Sequence, residues 1–453
     1  MNRPEAGPRF YIASLGCPKN TVDSSGMAVL LQRAGYEPTQ QPQEADYVIV
    51  NTCGFIGPAR AESLGYLQEL VGQSRDDQKV IAAGCWAQRE PEKLLDLVPG
   101  LDAVIGTRTW HALPALLAEL QRRPERLIHT EQRRAVLPEE AGAPGYALSG
   151  SSAFLKIAEG CSRRCAFCAI PLIKGPTVSR SVEAVLEDAV RLQELGVLEI
   201  NLIAQDSTFY GYDLGLQDGL ALLLEKLVER VPNVPWLRVL YAFPGYVTPR
   251  FIEVMAEFPQ VLPYVDIPLQ HAHPEVLRRM RRPPDVDEVR RTVDALRERM
   301  PEVCLRTTFI VGYPGETEEE FLALLNFIEN LRFDRVGVFK YSHEVGTPAA
   351  VMKDDVPEEV KAARLDALMV AQQRISLEKN RDLVGQELTV LLEGVGDGLT
   401  VGRSYRDAPE IDGLVLISQE LEPHRLIRVR VSQAMVYDLV ARPVDETQSG
   451  SAG

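Results

Sequence analysis

Residues 154–168 read Phe154-Leu155-Lys156-Ile157-Ala158-Glu159-Gly160-Cys161-Ser162-Arg163-Arg164-Cys165-Ala166-Phe167-Cys168. A short apolar run, Phe154–Ala158, leads into a loop with the spacing Cys-x3-Cys-x2-Cys and an aromatic, Phe167, just before the last cysteine. Thiolates this close wrap one corner of an iron–sulfur cubane, and three ligands for four irons leave the fourth iron to an external ligand. Zinc is the competing reading. Structural zinc sites, however, present four Cys or His ligands, usually as two close pairs, and no fourth Cys or His lies nearby.

Downstream, strand-like runs at 154–158, 198–203, 236–243, 261–267, 303–312 and 335–341 alternate with helical segments. The helices include Ser181–Leu195, Thr248–Phe258, Asp287–Arg299 and Thr317–Asn330. Thr248 caps a first-turn proline, Pro249, and Thr317-Glu318-Glu319-Glu320 has the form of a capping box. Repeated βα units predict a parallel, right-handed barrel or partial barrel with its active site at the carboxyl ends of the strands. The cysteine loop follows the first strand, on that side. Gln205-Asp206, Asp266-Ile267-Pro268-Leu269-Gln270-His271 and Gly312-Tyr313-Pro314-Gly315-Glu316-Thr317 fall there too. Each could bond a cofactor or substrate, or merely satisfy its own loop. His271 is given no general-base role, and Cys304, mid-strand among apolar neighbours, is expected in the core.

Upstream, Phe10–Leu15, Tyr47–Val50 and Val80–Ala83 read as buried parallel strands, separated by helical segments around 23–34 and 58–71. Each strand runs into a cysteine: Cys17, Cys53 and Cys85. Loops after the carboxyl ends of parallel strands share one edge of a sheet, where ligands are held. Three chain-distant cysteines should therefore converge, with Gly16 and Gly84 allowing close backbone approach. A lone free cysteine is more often plain core, but three at equivalent positions argue for a centre. Soft thiolates favour an iron–sulfur cluster or zinc.

Residues 357–381 predict a long polar connecting helix, and Glu387–Glu393, Gly413–Ser418 and Leu426–Val431 a small β-barrel. Val384–Arg442 holds nine acidic residues against six arginines and no lysine, with Tyr405 and Tyr437 its only aromatics. A nucleic-acid module should be basic with exposed aromatics, so a basic protein partner suits this barrel better. The chain as a whole points the same way. Its 453 residues carry 49 basic and 64 acidic side chains, a net charge of −15, and an RNA approaches such a surface only through a local basic patch. With 45% hydrophobic and 25% charged residues, a disordered, collagen-like or disulfide-scaffold protein is excluded. No run approaches the roughly 18 apolar residues of a membrane span. The start, Met1-Asn2-Arg3-Pro4-Glu5, lacks a secretory signal, so the expectation is a cytoplasmic protein with no membrane partner.

The compact triplet with its preceding aromatic resembles the radical S-adenosylmethionine (SAM) superfamily. The whole layout, over about residues 8–442, is similar to that of the methylthiotransferases. Ser14-Leu15-Gly16-Cys17-Pro18-Lys19-Asn20-Thr21-Val22-Asp23-Ser24, Asn51-Thr52-Cys53-Gly54-Phe55-Ile56, Pro268-Leu269-Gln270-His271-Ala272 and Asp407-Ala408-Pro409-Glu410-Ile411-Asp412-Gly413 resemble the ribosomal-protein branch rather than the tRNA branch. Ser25 stands where the family usually has Glu.

The resemblance implies an α/β protein in three units. These are an N-terminal parallel α/β domain (8–130), a radical SAM partial (β/α)6 barrel (153–381) after a linker (131–152), and a TRAM-type antiparallel β-barrel (382–442) before a disordered tail (443–453). It implies two 4Fe–4S clusters and SAM. Cys161, Cys165 and Cys168 would hold the SAM-binding cluster, and Cys17, Cys53 and Cys85 an auxiliary cluster that presents sulfur. Phe167, Gln205, Gln270 and Gly312 would contact SAM. The implied reaction adds a methylthio group to the β-carbon of an aspartate in small-subunit ribosomal protein twelve. A 5′-deoxyadenosyl radical removes the hydrogen, because no general base could take so weakly acidic a proton. The implied partners are that ribosomal protein and an electron donor such as flavodoxin or ferredoxin; the sulfur donor is unknown. The competing functions are methylthiolation of tRNA adenosine and a non-catalytic, metal-stabilised ribosome- or RNA-binding role.

Overall fold

The protein is described here from a computed structural model covering residues 7–123, 125–130 and 134–444. Its N-terminal part is a wholly parallel sheet of six strands: β1 (Arg9–Ser14), β2 (Glu37–Pro38), β3 (Tyr47–Thr52), β4 (Lys79–Ala83), β5 (Ala103–Gly106) and β6 (Leu127–His129). Their order across the sheet is β2-β1-β3-β4-β5-β6. Both faces are covered, which is why the strands read as continuous apolar runs. Tyr47 and Ile49 pack on one face with Trp110 and Leu117, while Val48 and Val50 pack on the other with Leu67 and Trp86.

The segment expected to be a linker is partly a strand. Within it β7 (Tyr146–Ser149) pairs antiparallel with β8 (Ser152–Lys156), and Leu137, Ala143 and Ala147 are buried. Its small-residue composition imitates a linker, whereas the burial comes from chain-distant neighbours that composition does not show. Residues 131–133 of that expectation lie outside the described residues.

Two short strands, β9 (Ala158–Glu159) and β10 (Val178–Ser179), pair across the neck of the cysteine loop. Then β11 (Glu199–Ile203), β12 (Trp236–Val239), β13 (Tyr264–Asp266), β14 (Cys304–Val311) and β15 (Arg335–Lys340) follow. With β8 they make six parallel strands in chain order, forming two hydrogen-bonded groups joined by a bridge from Leu237 to Val261. This is the expected partial barrel. Strand β12 stops sooner than the apolar run 236–243 suggested, because Tyr241 turns to φ +67°. The caps read at Thr248 and Thr317 are present, the latter as a capping box with Glu320, and the Ser181 side chain caps a third helix.

Alternation sorts the barrel strands. Ala153 and Leu155 of β8 and Ile200 and Leu202 of β11 face the covering helices, while Phe154 and Ile203 face inward. The interior also takes buried polar side chains, including Lys156, Glu199, Arg238 and Asp266.

The helix Glu358–Arg381 leads to a closed barrel of β16 (Glu387–Gly396), β17 (Leu399–Ser404), β18 (Val415–Ile417), β19 (Leu426–Ala434) and β20 (Leu439–Pro443). Sequence reading missed β17 and β20. Pro443 belongs to β20 and the Val444 amide donates to the Arg428 carbonyl at 3.1 Å, so the frayed tail expected from 443 does not begin there. Residues 445–453 lie outside the described residues. This barrel plugs the inner, amino-terminal side of the larger one. Arg403 pairs with Glu199 at 2.5 Å, Arg335 with Asp407 at 2.8 Å and Arg406 with Asp334 at 2.7 Å. Among the described residues no helix is long and apolar enough to cross a membrane.

Candidate active site

Strands β1, β3 and β4 are adjacent, with Ser14 opposite Asn51 and Asn51 opposite Ala83. That register sets Cys17, Cys53 and Cys85 at one edge. Cys17 stands just before the helix Pro18–Arg33, at its N-cap position, and Cys85 lies in the first turn of the helix Gly84–Arg89. Asn20 ties the three loops together. Its Nδ2 donates to the Leu15 carbonyl at 2.9 Å and the Thr52 carbonyl at 3.2 Å, and its Oδ1 accepts from the Cys85 thiol at 3.5 Å. Gly16 stands at φ +93°, where a Cβ would lie 2.7 Å from the Cβ of Cys53. The absent side chain lets these two cysteine loops touch.

The second triad is local. The Ser162 amide donates to Thr177 Oγ1 at 2.9 Å, and the Thr177 amide to Ser162 Oγ at 3.1 Å. The Cys161 amide donates to the Gly175 carbonyl and the Cys168 amide to the Cys165 carbonyl.

All six cysteines line one cavity of about 530 Å³, closed on one side by the N-terminal sheet and on the other by the partial barrel. Such a volume suits a small-molecule or cofactor site. Phe167, Gln205 and Gln270 line it as well. Gly312 does not. A Cβ there would fall 2.2 Å from Cγ of Lys361, on the long connecting helix, so close packing against that helix needs a glycine. His271 is buried outside the cavity, its Nδ1 accepting from the His273 amide at 3.0 Å, and burial pulls its pKa down to about 3. Cys304 is fully buried with its thiol 3.3 Å from the Arg406 carbonyl, as expected of a core cysteine.

Long-range partners supply what sequence reading missed. Arg163, inside the cysteine loop, pairs with Asp206 at 2.6 Å and lies over the rings of Phe243 and Tyr246, at 4.2 Å and 3.7 Å. Arg282 also lies over the Phe243 ring, at 4.0 Å, and points Nη1 at the Cys165 sulfur, 3.7 Å away. Arg306 pairs with Asp266 at 2.9 Å, and behind it Asp412 of the C-terminal barrel lies 3.5 Å from its Nε. Deeper in, Lys174 meets Glu159 at 2.7 Å and Asp23 at 3.2 Å, and Lys156 meets Glu159 at 2.6 Å and also bonds Asp23. This balanced group of two cations and two anions is buried and joins the N-terminal helix to the cysteine loop. Against the upward push of burial, Lys156 and Lys174 hold Glu159 well below the usual carboxylate range.

The thiol chemistry fits clusters. All seven cysteines are free. Among the described residues no three Cys, His, Asp or Glu side chains lie close enough to share one metal ion. A cubane asks for something else, one thiolate on each of several irons. Burial raises the Cys161 pKa to about 11 and also raises those of Cys53, Cys85 and Cys168, so metal loading must displace protons.

Comparison with known proteins agrees with this architecture. Residues 155–328 match the model of the radical SAM superfamily, 9–106 that of uncharacterized protein family UPF0004 and 384–444 that of the TRAM domain. Among solved structures, the radical SAM methyltransferase TsrM from Kitasatospora setae superposes with a TM-score of 0.55 at 15% identity, over 87% of this chain and 80% of that one. The cobalamin-dependent radical enzyme OxsB gives 0.52 at 14% identity, over 82% and 56%. Fold and site thus define a radical SAM protein. The chain is 46% identical to the "Ribosomal protein uS12 methylthiotransferase RimO" of Roseiflexus sp. (strain RS-1), over 97% of this chain and 99% of the relative. It is 47% identical to the protein of that name from Chloroflexus aurantiacus, over 95% and 98%. The chain belongs to the RimO family of radical SAM methylthiotransferases.

Proposed function

We propose that this enzyme adds a methylthio group to the β-carbon of an aspartate in ribosomal protein uS12. In this reading Cys161, Cys165 and Cys168 hold the 4Fe–4S cluster that binds SAM, and Cys17, Cys53 and Cys85 hold a second 4Fe–4S cluster. The observation that carries the reading is the single cavity lined by both triads, which supports chemistry that uses the two together. When bound, the two clusters and SAM supply radical hydrogen abstraction, sulfur and a methyl group. The chain's own residues hold and enclose. Arg163 and Arg282 both pack on Phe243 beside the compact triad, while Phe167, Gln205 and Gln270 offer contacts to SAM. The Phe55 and Ile56 side chains add apolar wall that keeps water from a reactive intermediate.

The acidic C-terminal barrel and the net charge of −15 favour a basic protein over tRNA as substrate. The setting is cytoplasmic, with a flavodoxin or ferredoxin as reductant. The test is anaerobic reconstitution, iron and sulfide counting, then mass spectrometry of uS12 and tRNA after incubation with SAM and reductant. A mass gain on an aspartate of uS12 is expected, and methylthio-adenosine in tRNA with an unchanged protein would overturn the assignment.

A further inference from the structure

Five cations line the cavity: Lys19, Arg163, Lys174, Arg282 and Arg306. Arg163, Lys174 and Arg306 are paired with Asp206, Glu159 and Asp266. Arg282 is directed at the Cys165 sulfur and bonds the Pro268 carbonyl. Lys19 is different. It is only 5% exposed, yet among the described residues its ammonium has no carboxylate within ion-pair reach and no hydrogen-bond acceptor. What lies against it is the face of Tyr241, with Nζ 3.2 Å from the ring centroid.

Local forces do not account for a lysine here. It sits in the first turn of the helix Pro18–Arg33, which has no acidic residue in that turn, and a cation at that end opposes the helix dipole. Burying a charge without a partner is costly, and the cation–π contact offsets only part of the cost. The supporting ring is itself held at a price, since Tyr241 stands at φ +67°, a left-handed conformation that bulky residues avoid. An unpartnered ammonium on a strained aromatic at a cavity wall is arranged to receive an anion.

We infer that Lys19 is the counter-ion of the substrate carboxylate. It binds the side chain of the target aspartate and so sets the adjacent β-carbon beside the Cys17, Cys53 and Cys85 wall. The inference rests on the protein-methylthiolation reading above. Lys19 follows Cys17 by two residues, and Tyr241 reaches it from the barrel side, so a carboxylate there is held where the two halves of the cavity meet. SAM also carries a carboxylate, and the experiment separates the two.

The test compares a uS12 peptide bearing the target aspartate with the same peptide bearing asparagine. Reconstituted full-length wild type, Lys19→Met and Lys19→Arg are assayed on both. The ratio of kcat/KM values cancels losses of cluster or of folded protein. Wild type is expected to favour the aspartate peptide by about 10- to 100-fold, as one charge-assisted hydrogen bond warrants. Lys19→Met brings the ratio near one, and Lys19→Arg keeps most of it. Binding of labelled peptides without turnover, measured by anisotropy, gives the same ratio and decides the matter if Lys19→Met is inactive on both. An undiminished aspartate preference in Lys19→Met overturns the inference, as does a wild type with no preference. An undiminished preference together with weakened SAM binding assigns Lys19 to the SAM carboxylate instead. A wild type that modifies tRNA and neither peptide overturns the functional reading, and the inference with it.

Discussion

The two cysteine triads are built by opposite routes. Cys161, Cys165 and Cys168 share one loop, whose neck is closed by β9 and β10 and by the mutual bonds of Ser162 and Thr177. Cys17, Cys53 and Cys85 come from three strands and meet only because β1, β3 and β4 are neighbours in register. A slip of one residue in β3 would turn its side chains to the opposite face and scatter that triad while leaving the other whole. Closing the short loop also costs less chain entropy than gathering distant segments. The compact site therefore depends on local geometry, and the dispersed site on the stability of a domain.

The most severe break is at the ligands themselves. Cys17→Ala, Cys53→Ala or Cys85→Ala should abolish methylthio transfer yet leave SAM cleavage, read as 5′-deoxyadenosine release. Alanine at Cys161, Cys165 or Cys168 should abolish both. If both sets stop SAM cleavage equally, the division of labour is wrong.

Next comes the buried joint between the two regions. Asp23→Asn leaves Lys156 and Lys174 sharing only Glu159, and breaking such a group costs about 3–5 kcal/mol, visible as a lower urea midpoint. Acid works on the same joint. The folded-state pKa of Glu159 is depressed, so its stabilisation is present above the ordinary carboxylate pKa, about 4, and is lost as pH falls below it. Glu159→Gln should flatten that acid limb of the urea midpoint; an unchanged limb would place the acid sensitivity elsewhere.

Asn20→Ala should loosen the dispersed triad alone. Loss of its buried hydrogen bonds costs about 1–3 kcal/mol, and iron per chain should fall toward that of one cluster while SAM cleavage persists. The mildest change is Thr177→Val at the neck of the compact loop, worth about 1 kcal/mol. It should appear as faster hydrogen exchange at the Ser162 amide with the dispersed triad unaffected.

What was legible in the sequence follows the same division. The Cys-x3-Cys-x2-Cys loop, the caps at Thr248 and Thr317 and the six barrel strands are local patterns. The dispersed cysteines could be read because each ends a strand, and parallel strands share an edge. The packing that needs a glycine at 312 was not legible, because the neighbour, Lys361, lies on a helix far along the chain. The stack of Arg163, Phe243 and Arg282 has no sequence signature, since its members come from three separate loops. Lys19 left no trace either, because the helix was expected only from about residue 23, whereas it begins at Pro18 and takes Lys19 into its first turn. The strand β7 was hidden by composition, and in β17 the buried Arg403, whose partner Glu199 is chain-distant, broke the apolar pattern.

Asp412 carries a last consequence. It belongs to the small C-terminal barrel, yet it touches Arg306, which lines the reaction cavity, and accepts a hydrogen bond from Tyr264 at 2.6 Å. The module that looks separate from the reaction chamber thus backs one arginine of its wall. A ribosome making this chain completes both thiol triads long before it delivers Asp412, so Arg306 lacks that second carboxylate until the final domain has folded.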